Sequence, residues 1–233
     1  MTKFSYAAPL HNAPRLDGAK IAVFLEHKFI PEEIAAYLQG FGLLGAEVEL
    51  VARIWWGDFK PASTTFFGDI DPGDDQPWAT PDCVDVRRDV STVKPGDYQA
   101  VIMSANYTSV RLRYGGDLPA DPSEFDPKAH VQAAPAVRFF AEAMADKKLV
   151  KGALCHGLWV LAPNPELLRD RKVICHSVVM ADILNCGARI TLTPDRVVAD
   201  GDLVTGFSKH EVLPFMAAIA RQIVANQQSG RHN

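Results

Sequence analysis

The chain has 233 residues, a length that allows one large domain or two small ones. Hydrophobic residues make up 48% and charged residues 22%, which is typical of a globular protein with a sizeable core and excludes disordered and fibrous classes. The 24 basic and 28 acidic residues give a formal net charge of −4, so no global positive field exists to neutralise phosphates or anionic lipids. We therefore expect no nucleic-acid partner.

The cysteines and the N-terminus indicate the compartment. Cys83, Cys155, Cys175 and Cys186 are too few for a disulfide scaffold and include no Cys-x-x-Cys pair, so we expect free thiols. The N-terminus lacks the apolar core of a secretory signal, and no stretch approaches the roughly 18 apolar residues of a membrane span. We expect a cytoplasmic protein that does not associate with membranes.

The first elements in chain order alternate between strand and helix. Residues 1–19 are mixed in character and are interpreted as an N-terminal arm. The apolar run at 21–25 predicts a strand buried on both faces of a parallel sheet. A proline followed by two acids, with apolar residues at helical spacing, predicts a helix over 31–41. The segment 47–52 alternates like a second strand.

Residues 54–95 change in character. They are rich in proline, glycine and aspartate, and we interpret them as an insertion with many turns. Their aromatic side chains either pack the insertion onto the body or line an entrance to a site, and packing is the favoured interpretation. These aromatic residues are Trp55, Trp56, Phe66, Phe67 and Trp78.

The remaining chain continues the alternation. The patterns predict strands at 98–103, 149–154 and 172–175, helices at 131–146, from 158, at 178–186 and at 211–226, and a hairpin formed by 196–199 and 203–205. We expect one α/β domain over 20–226, followed by a tail at 227–233. Its sheet is doubly wound and mostly parallel, with helices on both faces.

Cys155 stands where an open α/β sheet carries its chemistry. It follows a predicted strand and precedes a predicted helix, so the helix N-terminus and free backbone N–H groups are expected to lower the pKa of its thiol. Gly157 permits the sharp turn of a nucleophile elbow with cysteine in place of serine. The alternative, a small buried hydrophobic residue, fits Cys83 and Cys186 better, whereas Cys175 ends a strand and is expected near the site.

Four segments together resemble the ThiJ/PfpI superfamily. ALCHG at 153–157 is similar to its nucleophile region, and IAVFLE at 21–26 to its first strand and the acid that follows. DILNCGA at 182–188 and VVADGDLVT at 197–205 resemble two later family segments. The resemblance covers most of residues 20–225. It implies a flavodoxin-like domain related to class I glutamine amidotransferases.

The resemblance also implies roles for individual residues. Cys155 would be the nucleophile, and Glu26 would be the carboxyl group that hydrogen-bonds to the sulfur and shares its proton. His156 and His176 are alternative general acid/base groups. The backbone N–H groups of Ala105 and His156 would form an oxyanion hole.

The sequence departs from the family pattern after the strand at 98–103. Family members commonly carry Pro-Gly-Gly there, whereas this chain has Ser104-Ala105-Asn106. The glutamate of the protease-like branch is missing from residues 106–111, so a Cys-His-Glu triad is not supported. Glu124 and Asp126 remain open as acids that approach the site.

Two functions from different classes fit these residues. The first is a cofactor-independent cysteine hydrolase, hydratase or lyase that acts on a small aldehyde, amide or isonitrile, with proteolysis less favoured. The alternative is a non-enzymatic redox or stress-response sensor in which Cys155 is oxidised. We expect a small-molecule substrate, a homodimer, no metal and no cofactor. Arg111 and Arg113 either bind an anionic substrate or lie in a solvated loop.

Overall fold

The protein is described by a computed structural model over residues 10–54, 64–69 and 82–229. Its strands are β1 (Lys20–Phe24), β2 (Glu47–Ala52), β3 (Thr65–Phe67), β4 (Cys83–Asp85), β5 (Arg88–Asp89), β6 (Ala100–Met103), β7 (Val150–Leu154), β8 (Lys172–Val173), β9 (Arg189–Ile190), β10 (Val197–Asp200) and β11 (Leu203–Gly206). Its helices are α1 (Pro31–Leu43), α2 (Thr108–Leu112), α3 (Pro127–Gln132), α4 (Pro135–Ala145), α5 (Ser177–Asn185) and α6 (Val212–Ser229).

Seven strands form the central sheet in the order β10-β11-β7-β6-β1-β2-β5. All neighbouring pairs are parallel except β10 and β11, which form the predicted hairpin. Two short pairs lie outside this sheet, with β3 antiparallel to β4 and β8 parallel to β9. Because parallel strands need crossover connections, the helices between them cover the sheet.

Both faces of the sheet are buried, as the continuous apolar runs predicted. In β1, Ile21 and Val23 face a core cluster shared with α1 and α6. Their neighbours Ala22 and Phe24 face a second cluster that contains residues of α4 and α5. The doubly wound, flavodoxin-like α/β class expected from the sequence is therefore confirmed.

The helix predicted over 131–146 is two helices. The chain ends α3 at Gln132 and begins α4 at Pro135. Ala134 takes an extended ψ of 131°, because the ring of a following proline disfavours the helical conformation.

Two predicted elements after β7 are shorter than expected. The helix expected from 158 is a 3-10 turn over Gly157–Val160, closed by i to i+3 bonds such as Trp159 N–H to the carbonyl of His156 at 3.0 Å. The strand expected at 172–175 is the two-residue β8, which pairs with β9 outside the central sheet.

The predicted arm and insertion are partly described. Leu10 and Leu16 are buried in the core with α1, and the N–H of Leu16 donates to the carbonyl of Leu44 at 2.7 Å. In the insertion, Phe66 is buried and Phe67 is exposed. The insertion's three tryptophans, for which packing onto the body is the favoured interpretation, lie outside the described residues; they are Trp55, Trp56 and Trp78.

No helix in the described part of the chain combines the length and the apolar character needed to cross a membrane.

A buried ion pair joins β7 to the hairpin. The Lys151 side chain is 1% exposed, and its Nζ donates to Asp202 and, at 2.6 Å, to the carbonyl of Asp146. Arg171 Nη2 contacts the other carboxylate oxygen of Asp202 at 2.9 Å. This ion pair fixes β7, the strand that leads directly to Cys155.

We expect Asp202→Ala to lower the free energy of unfolding by about 3–5 kcal/mol, because it leaves the buried Lys151 charge without its carboxylate. Urea unfolding measures the loss. The control is Asp170→Ala, which breaks an exposed pair with Arg189 and is expected to cost less than about 1 kcal/mol. Equal losses in the two variants would contradict the prediction.

Candidate active site

Cys155 occupies a strained turn directly after β7. Its φ is +60°, in the left-handed region that residues other than glycine rarely adopt. Its N–H donates to the carbonyl of Gly206 at 2.8 Å, and its own carbonyl accepts from the N–H of His176 at 3.2 Å. The backbone of Cys155 is therefore held on both sides in the geometry of a nucleophile elbow.

Gly157 is required by close packing at this turn. A Cβ atom at position 157 would lie 2.7 Å from the carbonyl oxygen of Met103 and 3.2 Å from the Cβ of Ala153. The 3-10 turn after Cys155 can therefore pack closely against β6 only because residue 157 has no side chain.

The carboxyl group beside Cys155 belongs to Glu33. It lies in the first turn of α1 and is fully buried. The N–H of Ala105 donates to both of its carboxylate oxygens at 3.0 Å, and the hydroxyl of Tyr37 donates to Oε1 at 2.8 Å. After burial, the negative charge of Glu33 is the next largest cause that raises the pKa of the Cys155 thiol.

Glu26 does not take the place expected for it. No contact between Glu26 and Cys155 is recorded among the described residues; instead Glu26 Oε1 accepts from the N–H of His27 at 3.0 Å and lies 3.6 Å from Arg111 Nε. The chain turns after β1, with Lys28 at φ +66°, and brings the start of α1 back over the strand ends. The acid of the helix, rather than the acid of the strand end, is therefore the one whose charge acts on the Cys155 thiol.

The sequence contained a signal for Glu33 that the motif comparison did not use. Glu33, Tyr37 and Phe41 follow one another at i+4 spacing, so Glu33 shares the buried face of α1. An acid on the apolar face of a helix that starts at a strand end is a stronger candidate than a lone acid at that strand end.

The backbone donors at the sulfur also differ from the prediction. The Ala105 N–H is engaged by Glu33, so it is not available as an oxyanion donor. The backbone N–H groups of Asn106 and His156 interact with Cys155 instead and oppose the rise of its pKa. Asn106 has a φ of +65°, and its side-chain amide donates to the carbonyl of Lys28 at 2.8 Å.

Burial governs the ionisation of this pair. Cys155 is 7% exposed, and burial together with the Glu33 charge raises the pKa of its thiol to about 12. Burial also raises the pKa of Glu33 to about 8. The expected lowering of the Cys155 pKa is therefore wrong, because desolvation outweighs the two backbone donors. The two groups titrate as a coupled pair.

His156 and His176 lie together beside Cys155. Their rings are 5.2 Å apart and nearly perpendicular. Neither ring nitrogen of His156 has a hydrogen-bond partner among the described residues, and burial, followed by His176, lowers the pKa of its imidazole. His176 Nδ1 accepts from the N–H of Val178 at 3.3 Å, so the neutral ring carries its proton on Nε2.

The remaining candidates are a helix cap, an exposed acid and a buried thiol. Asp126 caps α3 by accepting from two backbone N–H groups, and Glu124 is exposed in the preceding turn. Cys175 is fully buried, and burial raises its pKa to about 12. In the described ranges, no three His, Cys, Asp or Glu side chains are grouped to hold a metal ion.

Cys83 is exposed, whereas Cys155, Cys175 and Cys186 are buried. With brief iodoacetamide treatment near neutral pH, we expect Cys83 to be labelled ahead of Cys155 by at least about tenfold, because the thiolate fraction falls as the pKa rises. Mass-spectrometric mapping gives the order, and Cys83→Ser isolates the slower reaction of Cys155. Faster labelling of Cys155 than of Cys83 would contradict this prediction and would indicate a lowered pKa of the Cys155 thiol.

Comparisons with known proteins agree with this fold. A model of the DJ-1/PfpI family matches residues 126–222. A search of curated proteins found no match.

Solved structures share the fold over most of the chain. A ThiJ/PfpI domain protein from Brachyspira murdochii has a TM-score of 0.66 and 15% identity, covering 90% of this chain and 99% of that one. Toxoplasma gondii DJ-1, in an oxidised form, has a TM-score of 0.61 and 15% identity over 91% and 98% of the two chains.

A two-domain protein from Anabaena variabilis, with DJ-1/ThiJ/PfpI-like and ferritin-like domains, has a TM-score of 0.64 and 20% identity. The match covers 88% of this chain but only 48% of that protein. At these identities the structural likeness is one of fold. The family model thus matches the second half of the chain, and the chain shares its fold with proteins described as ThiJ/PfpI and DJ-1.

Proposed function

We propose that the protein is a cofactor-independent enzyme in which the Cys155 sulfur adds to the electrophilic carbon of a small substrate. The reaction is a hydrolysis, hydration or lyase reaction of an aldehyde, amide or isonitrile. One observation carries the proposal: a buried carboxyl group, Glu33, is electrostatically coupled to a cysteine held in a strained elbow. Coupled acid groups with shifted pKa values concentrate at catalytic sites.

The pair supports a defined proton path. When Glu33 is ionised and Cys155 is a thiol, one proton is shared by two sites. Transfer of that proton to the Glu33 carboxylate gives a thiolate, which forms a carbon–sulfur bond with the substrate. Glu33 then returns the proton to the adduct; with an amide, the carbon–nitrogen bond breaks and the leaving amine nitrogen takes this proton. Water breaks the carbon–sulfur bond and regenerates the thiol.

Neighbouring groups support the later steps. The backbone N–H groups of Asn106 and His156 are placed to stabilise negative charge that develops on the adduct. His156 has both ring nitrogens available and a lowered pKa, which suits a general base for the attacking water. His176, with its Nε2 proton, would orient His156.

The burial of the sulfur favours a small substrate over a peptide. Cys155 is 7% exposed, and the ring of Trp159 packs against His156 with centroids 5.4 Å apart. A peptide bond in an extended chain would not reach the sulfur without displacing these groups, and among the described residues no carboxylate accepts a hydrogen bond from His156. We therefore propose small-molecule turnover rather than proteolysis.

Glu33→Gln is expected to retain the bonds to Ala105 and Tyr37 but to lose proton transfer. Turnover of a small-electrophile panel should fall by about 10²-fold or more. Cys155→Ser should abolish it, and the control Glu32→Gln, at the exposed neighbouring acid, should leave it unchanged. Wild-type turnover by Glu33→Gln would refute the proposed role.

The pH dependence gives a second prediction. The one-proton state of the pair forms when Glu33 loses its proton, and the pKa of Glu33 is raised to about 8. We therefore expect kcat/KM to rise with pH through about 8. Glu33→Gln should lack this rise. A profile that is flat between pH 6 and 9 in the wild type would contradict it.

The sensor reading is the second candidate. It is favoured by one observation, that the Toxoplasma neighbour is described as oxidised. Selective oxidation of Cys155 by peroxide, without turnover of any electrophile in the panel, would support it. The raised pKa of Cys155 does not separate the two candidates, because oxidation and addition to an electrophile both proceed through the thiolate.

We also propose that the protein acts as a cytoplasmic homodimer. Sedimentation equilibrium at micromolar concentration is expected to give twice the chain mass of 25.5 kDa. A single species at the chain mass would contradict this proposal.

A further inference from the structure

A second polar cluster lies on the same edge of the sheet as Cys155. The strand register aligns Phe24, Met103 and Ala153 in one row across β1, β6 and β7. Glu26 and Cys155 each lie two residues beyond that row. Because neighbouring strands are about 4.8 Å apart, their backbones are about 10 Å apart along this edge.

Glu26 is an unusual residue for this position. Its side chain is 1% exposed, and its Oε2 atom is buried without a hydrogen-bond partner among the described residues. Its Oε1 faces Arg111 Nε at 3.6 Å. A closed fork between an arginine and a carboxylate would use both oxygens. Glu26 therefore engages only the Nε edge of Arg111.

Arg111 is left with an open end. Its side chain is 44% exposed, and within the described ranges no hydrogen bond from its Nη1 or Nη2 atoms is recorded. It lies on α2, whose start follows Asn106, the residue whose backbone N–H interacts with the sulfur. The guanidinium is thus held at its Nε by a buried carboxyl group, on a helix whose Ser109 hydroxyl donates to the carbonyl of His156 at 3.0 Å.

The surrounding charges leave Arg111 available to an anion. His27 Nδ1 accepts from the N–H of Phe67 at 3.2 Å, and burial and Arg111 lower the pKa of this imidazole, so His27 is neutral near pH 7. Arg53 adds positive potential at Glu26 and is itself balanced by Asp89. Burial raises the pKa of Glu26, which weakens its neutralisation of Arg111.

We infer that Arg111 forms an anion subsite beside Cys155, and that the small electrophile on which the protein acts carries a carboxylate group. This inference rests on the proposed function and narrows its substrate class. A guanidinium tip presents two N–H groups in a plane that matches a carboxylate, and a single arginine suits a monoanion. Glu26 is a positioning residue that orients the tip.

The test compares two alkylating reagents that differ in charge. In a Cys83→Ser background, the rate constants for alkylation of Cys155 by iodoacetate and by iodoacetamide are measured by mass spectrometry at fixed pH and ionic strength. The ratio of the anionic to the neutral reagent is expected to fall by about tenfold in Arg111→Met. Arg111→Lys keeps the charge but loses the fork, so its ratio should lie between the two.

Arg138→Met is the matched control, because Arg138 is an exposed arginine on α4. Its ratio should stay within about twofold of the wild type, since charges beyond a Debye length of about 8 Å are screened. An equal fall in Arg138→Met and Arg111→Met would show a net-charge effect and overturn the subsite. An unchanged ratio in Arg111→Met would also overturn it.

An equilibrium measurement separates the subsite from the thiol chemistry. The Nε–H signal of Arg111 in a nitrogen-15 spectrum, identified by its loss in Arg111→Met, should shift saturably with sodium acetate and not with sodium chloride. If the Arg111 signal shifts saturably but Cys155 reacts with neither reagent, the proposed function is refuted and the anion subsite is retained. A signal unmoved by acetate would refute the subsite while leaving Cys155 reactivity to decide the function.

Discussion

The buried carboxyl group of Glu33 is the interaction on which the rest of the site depends. It ties the first turn of α1 to the loop after β6 through the N–H of Ala105, and it sets the electrostatic environment of Cys155. A carboxyl group removed from water is costly unless it is hydrogen-bonded. The hydroxyl of Tyr37 and the N–H of Ala105 satisfy it, so helix, loop and nucleophile keep one geometry.

The strained backbone at Cys155 is held by its surroundings rather than by its own preference. A left-handed conformation costs a residue with a Cβ atom about 1–2 kcal/mol. Hydrogen bonds to β11 and to the start of α5 compensate, and Gly157 lets the following turn approach β6. The strand itself is fixed by the Lys151–Asp202 pair. Strain at Cys155 is thus retained where the chain leaves the sheet edge.

The sequence predicted the features that depend on local pattern. Continuous apolar runs identified β1, β6 and β7, and the position of Cys155 between a strand end and a glycine identified the elbow. The pattern did not predict the direction in which the chain leaves β1, which depends on a left-handed residue, Lys28, and decides between Glu26 and Glu33. It also missed the burial of the thiol, because Cys155 is packed in a core cluster with side chains from distant segments, such as Phe215 of α6.

Backbone amides supply many of the polar contacts at this site, and this feature bears on how the chain changes over evolution. An N–H group is present whatever side chain the residue carries, so Ser104-Ala105-Asn106 can replace a glycine-rich loop and still present Ala105 to Glu33 and Asn106 to the sulfur. Side-chain identity in this half of the domain is then weakly constrained, because the contacts are made by backbone N–H groups. The family model matches residues 126–222, which include Cys155 but not the helix that carries Glu33.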